Sequence, residues 1–295
     1  MEPAATTELH NVGLSVVIPL TRSSAPPPDG NRVRRGLLAG LREVDPELPE
    51  LLHADPGSGG HPWTISAAFF ALGRWWMRVT GVGARICASL GSALRPGRLA
   101  SSGGWALAPE TTWRARAVRL SDLSPSQDGA GGGRRWVVSL LSASLFSDLD
   151  SRETTPVPTS WTLVGGWWRR WIAHLGLEAL PASLPACPGD FKQWCEDRIV
   201  IHTDALVTQP VRTSRGFSAA GSIGTLVADV YGDASELAGM SALLRFGTFA
   251  GAGRKLAFGF GQTAVANAPV DLPGLVRAHR PLSDLTRSRP HTEAA

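Results

Sequence analysis

The chain has 295 residues, 43% of them hydrophobic and 18% charged, with a net charge of +4 from 29 basic and 25 acidic side chains. That much apolar material excludes a disordered chain, and the length admits two domains of ordinary size. Only Lys192 and Lys255 are lysines, so the basic charge is almost all arginine, which grips phosphate through a planar fork and stacks on bases. A GC-rich genome accounts for the arginine total but not for its clustering. The three cysteines, Cys87, Cys187 and Cys195, are odd in number and irregular in spacing. They fit neither a disulfide framework nor a zinc site and are expected as small buried hydrophobes. MEPAATTELH has no basic region followed by an apolar core, and the longest apolar run, Trp63 to Gly73, is too short to cross a bilayer. A soluble, cytoplasmic chain with no membrane partner is expected.

LHNVGLSVVIPL, Leu9 to Leu20, reads as a first strand, β-branched and ended by Pro19 and a polar turn. After the loop SSAPPPDG, Asn31 can cap a helix across RVRRGLLAGLREV, with Val33, Leu37, Leu38 and Leu41 on one face. Pro46 and Pro49 break that helix before LLHAD. HPWTISAAFFAL, His61 to Leu72, reads as a second strand and WWMRVTG as a third. A helix from Ala84 to Leu94 follows, then a fourth strand over Thr111 to Leu120, alternating Ala115 and Ala117 with Arg114 and Arg116. Residues 124–133, SPSQDGAGGG, read as a linker or long loop.

The pattern then restarts. Arg134 to Ser147 is a strand, Pro158 and Thr159 open the Trp-rich helix SWTLVGGWWRRWIAHL, and Asp197–Thr208 and Gly216–Gly232 are strands. Ser235 can cap a helix with Leu237, Met240, Leu243 and Leu244 inward, ending near Gly247. KLAFGFGQTAV closes as the last strand. Two successive β-α-β-β-α-β units predict an α+β chain of tandem ferredoxin-like domains, residues 1–123 and 134–265. The Pro- and Arg-rich residues 266–295 are expected to be peripheral or disordered.

The segment GAGRKLAFGFG, Gly251 to Gly261, sets four glycines around Arg254 and Lys255. On a strand, Leu256, Phe258 and Phe260 face the core, while Gly259 and Gly261 present nearly bare backbone. With Gly251 and Gly253 in the preceding turn, exposed N–H groups beside two cations form a cradle for phosphates or sugar oxygens. Close helix–strand packing explains the same glycines equally well. The spacing fits neither of the common nucleotide-binding glycine loops.

FGTFAGAGRKLAFGFGQ resembles the C-terminal glycine-rich loop of the RAMP superfamily of CRISPR-associated proteins, in particular the repeat endoribonuclease that processes precursor crRNA. GNRVRRGLLAGLREVDPELPELLHAD followed by HPWTIS, then TPVPTSWTLVGGWW and GFSAAGSIGTLVADV, resemble further elements of that family in order. The resemblance covers Leu9 to Val265 and implies the tandem ferredoxin-like fold already read from element order. It also implies metal-free cleavage of CRISPR repeat RNA, with no cofactor. In that reaction a 2′-hydroxyl attacks the adjacent phosphate, giving 5′-hydroxyl and 2′,3′-cyclic phosphate ends. The other reading within the superfamily is a non-catalytic crRNA-binding subunit partnered with effector-complex proteins. A third, outside nucleic acids, is a small-molecule or nucleotide-binding enzyme using the glycine loop.

Such chemistry needs in-line geometry, a proton-transfer group near neutral pKa and positive charge on the phosphorane. Of seven histidines, His53 is the first catalytic candidate, because it matches the family's position after the first helix and lies in a polar, Gly-rich stretch. His61 is the second, and His10 could face the cleft. His174 and His202 read as structural, and His279 and His291 lie in the tail. The only tyrosine, Tyr231, is remote, so charge stabilisation falls to arginine, with Arg34 and Arg35 the candidates against a plain solvated helix face. RNA contacts are expected at Gly251, Gly253, Arg254, Lys255, Gly259 and Gly261, and from a basic stripe of Arg114 and Arg116. Trp167, Trp168 and Trp171 read as core in preference to a stacking platform.

Overall fold

In the computed structural model, residues 11–21, 27, 29–53, 60–93, 113–123, 132–147, 154–212 and 218–281 are described. The alternating apolar run from residue 11 makes β1 (Asn11–Leu20), the centre of the first sheet, antiparallel to β4 (Arg74–Val82) on one side and β5 (Arg114–Arg119) on the other. The second strand expected over residues 61–72 is two short ones, β2 (Trp63–Ile65) and β3 (Phe69–Ala71), both paired to β4. Leu72 and Gly73, at φ 51° and 77°, make the two-residue turn that joins β3 to β4. The strand order β5-β1-β4-β2 is the ferredoxin-like one.

Helices α1 (Gly30–Val44) and α3 (Ala84–Ala93) cover one face of this sheet. Leu14, Val16 and Ile18 of β1 and Met77 and Val79 of β4 meet Val33, Leu37 and Leu41 of α1 and Ile86 and Leu90 of α3. Asp29, not Asn31, caps α1, its carboxylate accepting from the Arg32 N–H at 2.9 Å. Pro49 does not break the chain into a loop. It sits in the first turn of α2 (Leu48–His53), where a helix has no use for its N–H. A single turn, α4 (Leu120–Leu123), follows β5.

The second sheet comprises β6 (Gly132–Ser144), β7 (Ile199–Arg212), β8 (Ser218–Gly232) and β9 (Thr263–Ala266), in the order β7-β8-β6-β9. This repeats the permutation of the first sheet, so the chain is an α+β protein of two ferredoxin-like halves, as element order predicts. Gly132 and Gly133, assigned above to the linker, belong to β6, and the rest of that stretch lies outside the described residues. The Trp-rich helix is a wide π turn over Trp161–Gly165 running into α5 (Gly166–Leu175). Trp167, Trp168 and Trp171 are core, packed with Phe191, Leu243, Phe246 and the inner residues of β6 and β8. Phe191 lies on α6 (Pro188–Arg198), a helix the sequence pattern did not suggest, and it stacks on Trp168 at 5.2 Å between ring centroids. Cys87 and Cys195 are buried as expected, whereas Cys187 at the start of α6 is exposed.

Helix α7 (Ala234–Ala250) is capped by Asp233, reciprocally with Glu236, instead of by Ser235. It continues past Gly247, where a Cβ would lie 2.6 Å from the Trp167 ring, so glycine there admits the indole. The expected peripheral tail is instead partly structural. Asp271 caps α8 (Leu272–Arg277), and β10 (Arg280–Pro281) adds a strand to the free edge of β5. Val276 closes over Val17, Ala71 and Trp76 on the face of the first sheet that α1 and α3 leave open. Leu275, Val276 and His279 are buried, so a Pro- and Arg-rich composition concealed three anchors. Among the described residues no helix is long and apolar enough to cross a membrane.

Candidate functional site

Residues 255–262 are not part of the strand expected to follow a turn at 251–254. Residues 251–262 form a loop around a single 3-10 turn, Leu256–Phe258, and β9 begins only at Thr263. Gly251, Gly253, Lys255, Gly259 and Gly261 all have positive φ, from 60° to 101°, which no continuous strand accommodates. The backbone N–H groups of Gly251, Ala252, Arg254, Phe258, Gly261 and Gln262 are all donated inside the protein. Arg254 N reaches Leu145 O at 2.7 Å and Gly261 N reaches Ala143 O at 3.0 Å. Gly251, Gly259 and Gly261 are buried and Gly253 is half-buried; a Cβ on Gly253 would collide with Leu145 O. The N–H groups of Gly251 and Gly261, expected in a phosphate cradle, are thus used inside the protein, and the side chains the loop exposes are those of Arg254 and Lys255. The period-2 reading succeeds for buried Leu256 and Phe260 and fails at Ala257, which is as buried as they are.

The loop is seated against the first half. The backbone of Phe258 and Gly259 packs on Gly30, so closely that a Cβ there would overlap Phe258 O, and Gly259 bridges to Ser66 beyond β2. This contact brings two predicted cations to one ring. The Arg34 guanidinium carbon lies 4.6 Å and Lys255 Nζ 5.7 Å from the centroid of half-buried Phe258. Arg34 is buried on α1, while Arg35 beside it is exposed. Lys255, at φ 60° and ψ 28°, is in the left-handed region that costs a non-glycine residue energy.

Helix α5 holds the loop from the other side. Trp167 Nε1 donates to Gly251 O at 2.7 Å, and Arg170 donates to Gly251 O at 3.1 Å and Gly253 O at 2.7 Å. Burial, then the charge of Arg169, pushes the Arg170 pKa down to about 10. One turn on, His174 Nε2 donates to Gly60 O at 3.1 Å; burial holds this imidazole below its ordinary pKa. Gly60 precedes His61, which is half-buried, and His53 is the last residue of α2. Residues 54–59 between them, His10 and His291 lie outside the described residues. His202 is elsewhere, on the outer face of the second sheet, 3.0 Å from Asp229.

Arg114 and Arg116 are not part of this assembly. They lie on β5, three strand positions from β2 and so roughly 14 Å from the loop's side of the sheet. Arg116 is exposed, 5.8 Å over the Phe249 ring, and Arg114 is half-buried beside β10.

A buried polar network behind the loop escaped the sequence reading. Arg78 of β4 donates to Ser15 Oγ at 2.9 Å, to Thr263 O at 2.8 Å, to Gln262 Oε1 at 3.3 Å and to Thr248 O at 2.7 Å. Gln262 Nε2 donates to Thr64 Oγ1 at 2.7 Å, and Thr80 Oγ1 donates to Phe249 O at 2.6 Å. Burial, then nearby Arg116, lowers the Arg78 pKa to about 9. His279 Nδ1 donates to Leu275 O at 2.7 Å, which leaves Nε2 to accept from Ser15 Oγ at 2.8 Å. The available signal was the lone arginine in the apolar run WWMRVTG, which shares a face with Trp76 and Thr80. Among the described residues no three His, Cys, Asp or Glu side chains come together as a metal site would require.

The sequence model of the CRISPR-associated endoribonuclease Cas6 family matches residues 138–263, from β6 through the glycine loop. No curated protein matches the chain. Among solved structures, a Cas6 product complex from Thermus thermophilus is 19% identical with a TM-score of 0.66, covering 87% of this chain and 100% of that one. A second Cas6 product complex is 22% identical with a TM-score of 0.61, covering 86% and 99%. An RAMP protein described as binding different RNA substrates is 15% identical with a TM-score of 0.52, covering 86% and 99%. The resemblance carried by the glycine-rich segment is borne out: residues 138–263 match the family's sequence model, and the fold is shared with these structures over most of the chain.

Proposed function

From the premise of a Cas6-type chain, we propose that this protein is a metal-independent endoribonuclease that cuts CRISPR repeat RNA in a precursor transcript. The 2′-oxygen beside the scissile phosphate attacks phosphorus and gives up its proton to a base. The bond to the 5′-oxygen breaks and that oxygen takes a proton from an acid. The products are a 2′,3′-cyclic phosphate and a 5′-hydroxyl. His53 is assigned to proton transfer, with His61 the second candidate. Arg254 and Lys255 hold the RNA backbone, and Arg34 and Arg35 supply charge near the reacting phosphate. The glycines contribute the shape of the loop; RNA contact falls to the cationic side chains. The partners are the repeat RNA and the crRNA made from it.

The observation that carries this reading is the convergence at the glycine loop. Lys255 and Arg34 meet over Phe258, Arg254 is exposed next to them, and Gly60, beside His61, is bonded by the same helix, α5, that clasps the loop.

The test is incubation with the repeat RNA of the accompanying CRISPR array in EDTA. Defined cleavage, lost on 2′-deoxy substitution at the cut site and on His53→Ala with RNA affinity kept, is the expected result. Full turnover by His53→Ala removes that residue from the mechanism. Tight binding without cleavage replaces the reading with a non-catalytic crRNA-binding subunit. Arg254→Ala with Lys255→Ala should weaken binding and reduce the salt slope by about 1.4 for two lost phosphate contacts on single-stranded RNA. An unchanged slope makes the loop purely structural.

A further inference from the structure

Helix α5 presents three hydrogen-bond donors on successive turns, Trp167, Arg170 and His174, and all three end on backbone carbonyls of other segments. Two of those segments border the candidate site from opposite halves of the chain. One is the glycine loop that carries Arg254 and Lys255; the other is the return from α2 into β2, at Gly60. Arg170 touches both. Its guanidinium bonds to Gly251 O and Gly253 O, and a Cβ on Gly60, at φ 69°, would lie 2.9 Å from Arg170 Nε.

We propose that Arg170 is a positioning residue that sets the register between the glycine loop and the entry to β2 at Gly60 and His61, with Trp167 and His174 as its supports. This rests on the nuclease reading for its effect on catalysis, but not for its effect on the two segments. Arg170 is buried and takes no carboxylate partner among the described residues, so its charge is spent on orienting carbonyls. Two carbonyls two residues apart, each following a glycine with positive φ, match a planar fork and not the single point of an ammonium. The π turn at Trp161–Gly165 inserts an extra residue just before α5 and so sets the rotation at which residues 167, 170 and 174 face the loop. The three donors hold the loop and Gly60 from one rigid element, so a shift of α5 moves the cations and the entry to β2 together.

The experiment compares the wild-type chain with Arg170→Lys and Arg170→Gln, each first checked for cooperative unfolding. Hydrogen exchange is followed at residues 60–63, 251–261 and, as reference, along β7 and β8. Single-turnover cleavage and RNA affinity are measured on the same samples. The expected result is joint loss of protection at 60–63 and 251–261 with the β7–β8 ladder unchanged. Cleavage should fall about 100-fold, as for a misplacement near 1 Å, with affinity and salt slope close to wild type. Loosening of 251–261 alone overturns the coupling, as does unchanged exchange in both segments of a folded variant. A reduced salt slope overturns it differently, by making Arg170 an RNA contact. If the wild-type chain itself fails to cut repeat RNA, the nuclease reading falls and the exchange pattern still decides the role of Arg170.

Discussion

The two sheets share one strand order, yet the faces that their own helices leave open have opposite fates. In the first sheet that face carries Ser15, Val17, Trp76, Arg78 and Thr80, and it is buried under α7 and α8. In the second, the β7–β8 side shows Val200, His202, Asp229 and Tyr231 to solvent, with Arg135 of β6 beside them. The same architecture thus spends one face on joining the halves and leaves the other free. On the proposed function, RNA contact on that half falls to its helices and loops, where Arg35 is exposed, and to Arg116 at the edge of the covered face. Polar groups mark the difference. On the buried face the acceptors of Arg78 are all neutral, whereas on the exposed face Arg135 and Asp229 pair as ions and His202 is hydrogen-bonded to the same carboxylate.

The sharpest way to break this contrast is Arg78→Met. It leaves Thr248 O, Thr263 O and the Gln262 amide without their donor while keeping side-chain volume. Unfolding in denaturant should show a loss of about 3 kcal/mol, the order expected when buried acceptors lose a charged donor. A neutral or stabilising result would mean that desolvating the guanidinium costs as much as its hydrogen bonds return, and that apolar packing alone joins the halves.

A smaller effect is expected from His279, which ties the C-terminal strap into the same network. Burial, with Arg78 the next cause and Arg116 and Arg114 adding to it, pushes its pKa down to about 3, against an ordinary histidine near 6.5. The folded protein therefore refuses a proton that the unfolded chain accepts. The stability involved is fully present above about pH 6.5 and is lost as pH falls, by about 1.4 kcal/mol per unit until the folded pKa is reached. His174, also lowered by burial, adds to the slope in the same direction. His279→Gln should be less stable at neutral pH but should lose about 2 kcal/mol less than wild type between pH 6.5 and 5. Parallel pH profiles would show that the buried imidazole takes up its proton as readily as it does in the unfolded chain.

Much of this organisation was legible in the sequence because it rests on periodicity. The apolar faces of α1 and α7, the alternation of β1 and the repeated β-α-β-β-α-β order all follow from burying one face of each element. What was not legible depends on contacts between distant segments. Asn31 and Asp29 are equally good caps by residue type, and only the entry angle of the chain chooses Asp29. KLAFGFG alternates as a strand does, but Gly259 and Gly261 take positive φ, the one to meet Gly30, far off in sequence, the other to meet Ala252 across the loop. Nothing local to the Trp-rich helix shows that the acceptors of Arg170 are residues 251 and 253. The tail was discounted on composition, although DLPGLV has a cap and Leu275 and Val276 to bury.

The smallest effect belongs to the exposed face, where it sharpens the contrast instead of breaking it. Arg135 holds Asp229 through two hydrogen bonds, at 2.8 and 2.9 Å, and these are the main reason that the Asp229 carboxyl titrates below the usual carboxylate range; His202 at 3.0 Å is a lesser one. In water such a pair costs side-chain freedom and is screened by salt, so its geometry exceeds its worth. Arg135→Ala should therefore move the Asp229 carboxyl resonance upward in pKa while the denaturant midpoint at high salt stays that of the wild type. The carboxylate loses its main partner without being stranded, because solvent replaces the guanidinium, which is the opposite of what Arg78→Met does to Thr248 O and Thr263 O. A midpoint loss as large as that of Arg78→Met would mean that this ion pair is shielded from water, and the difference between the two sheet faces would then lie in their residues and not in their exposure.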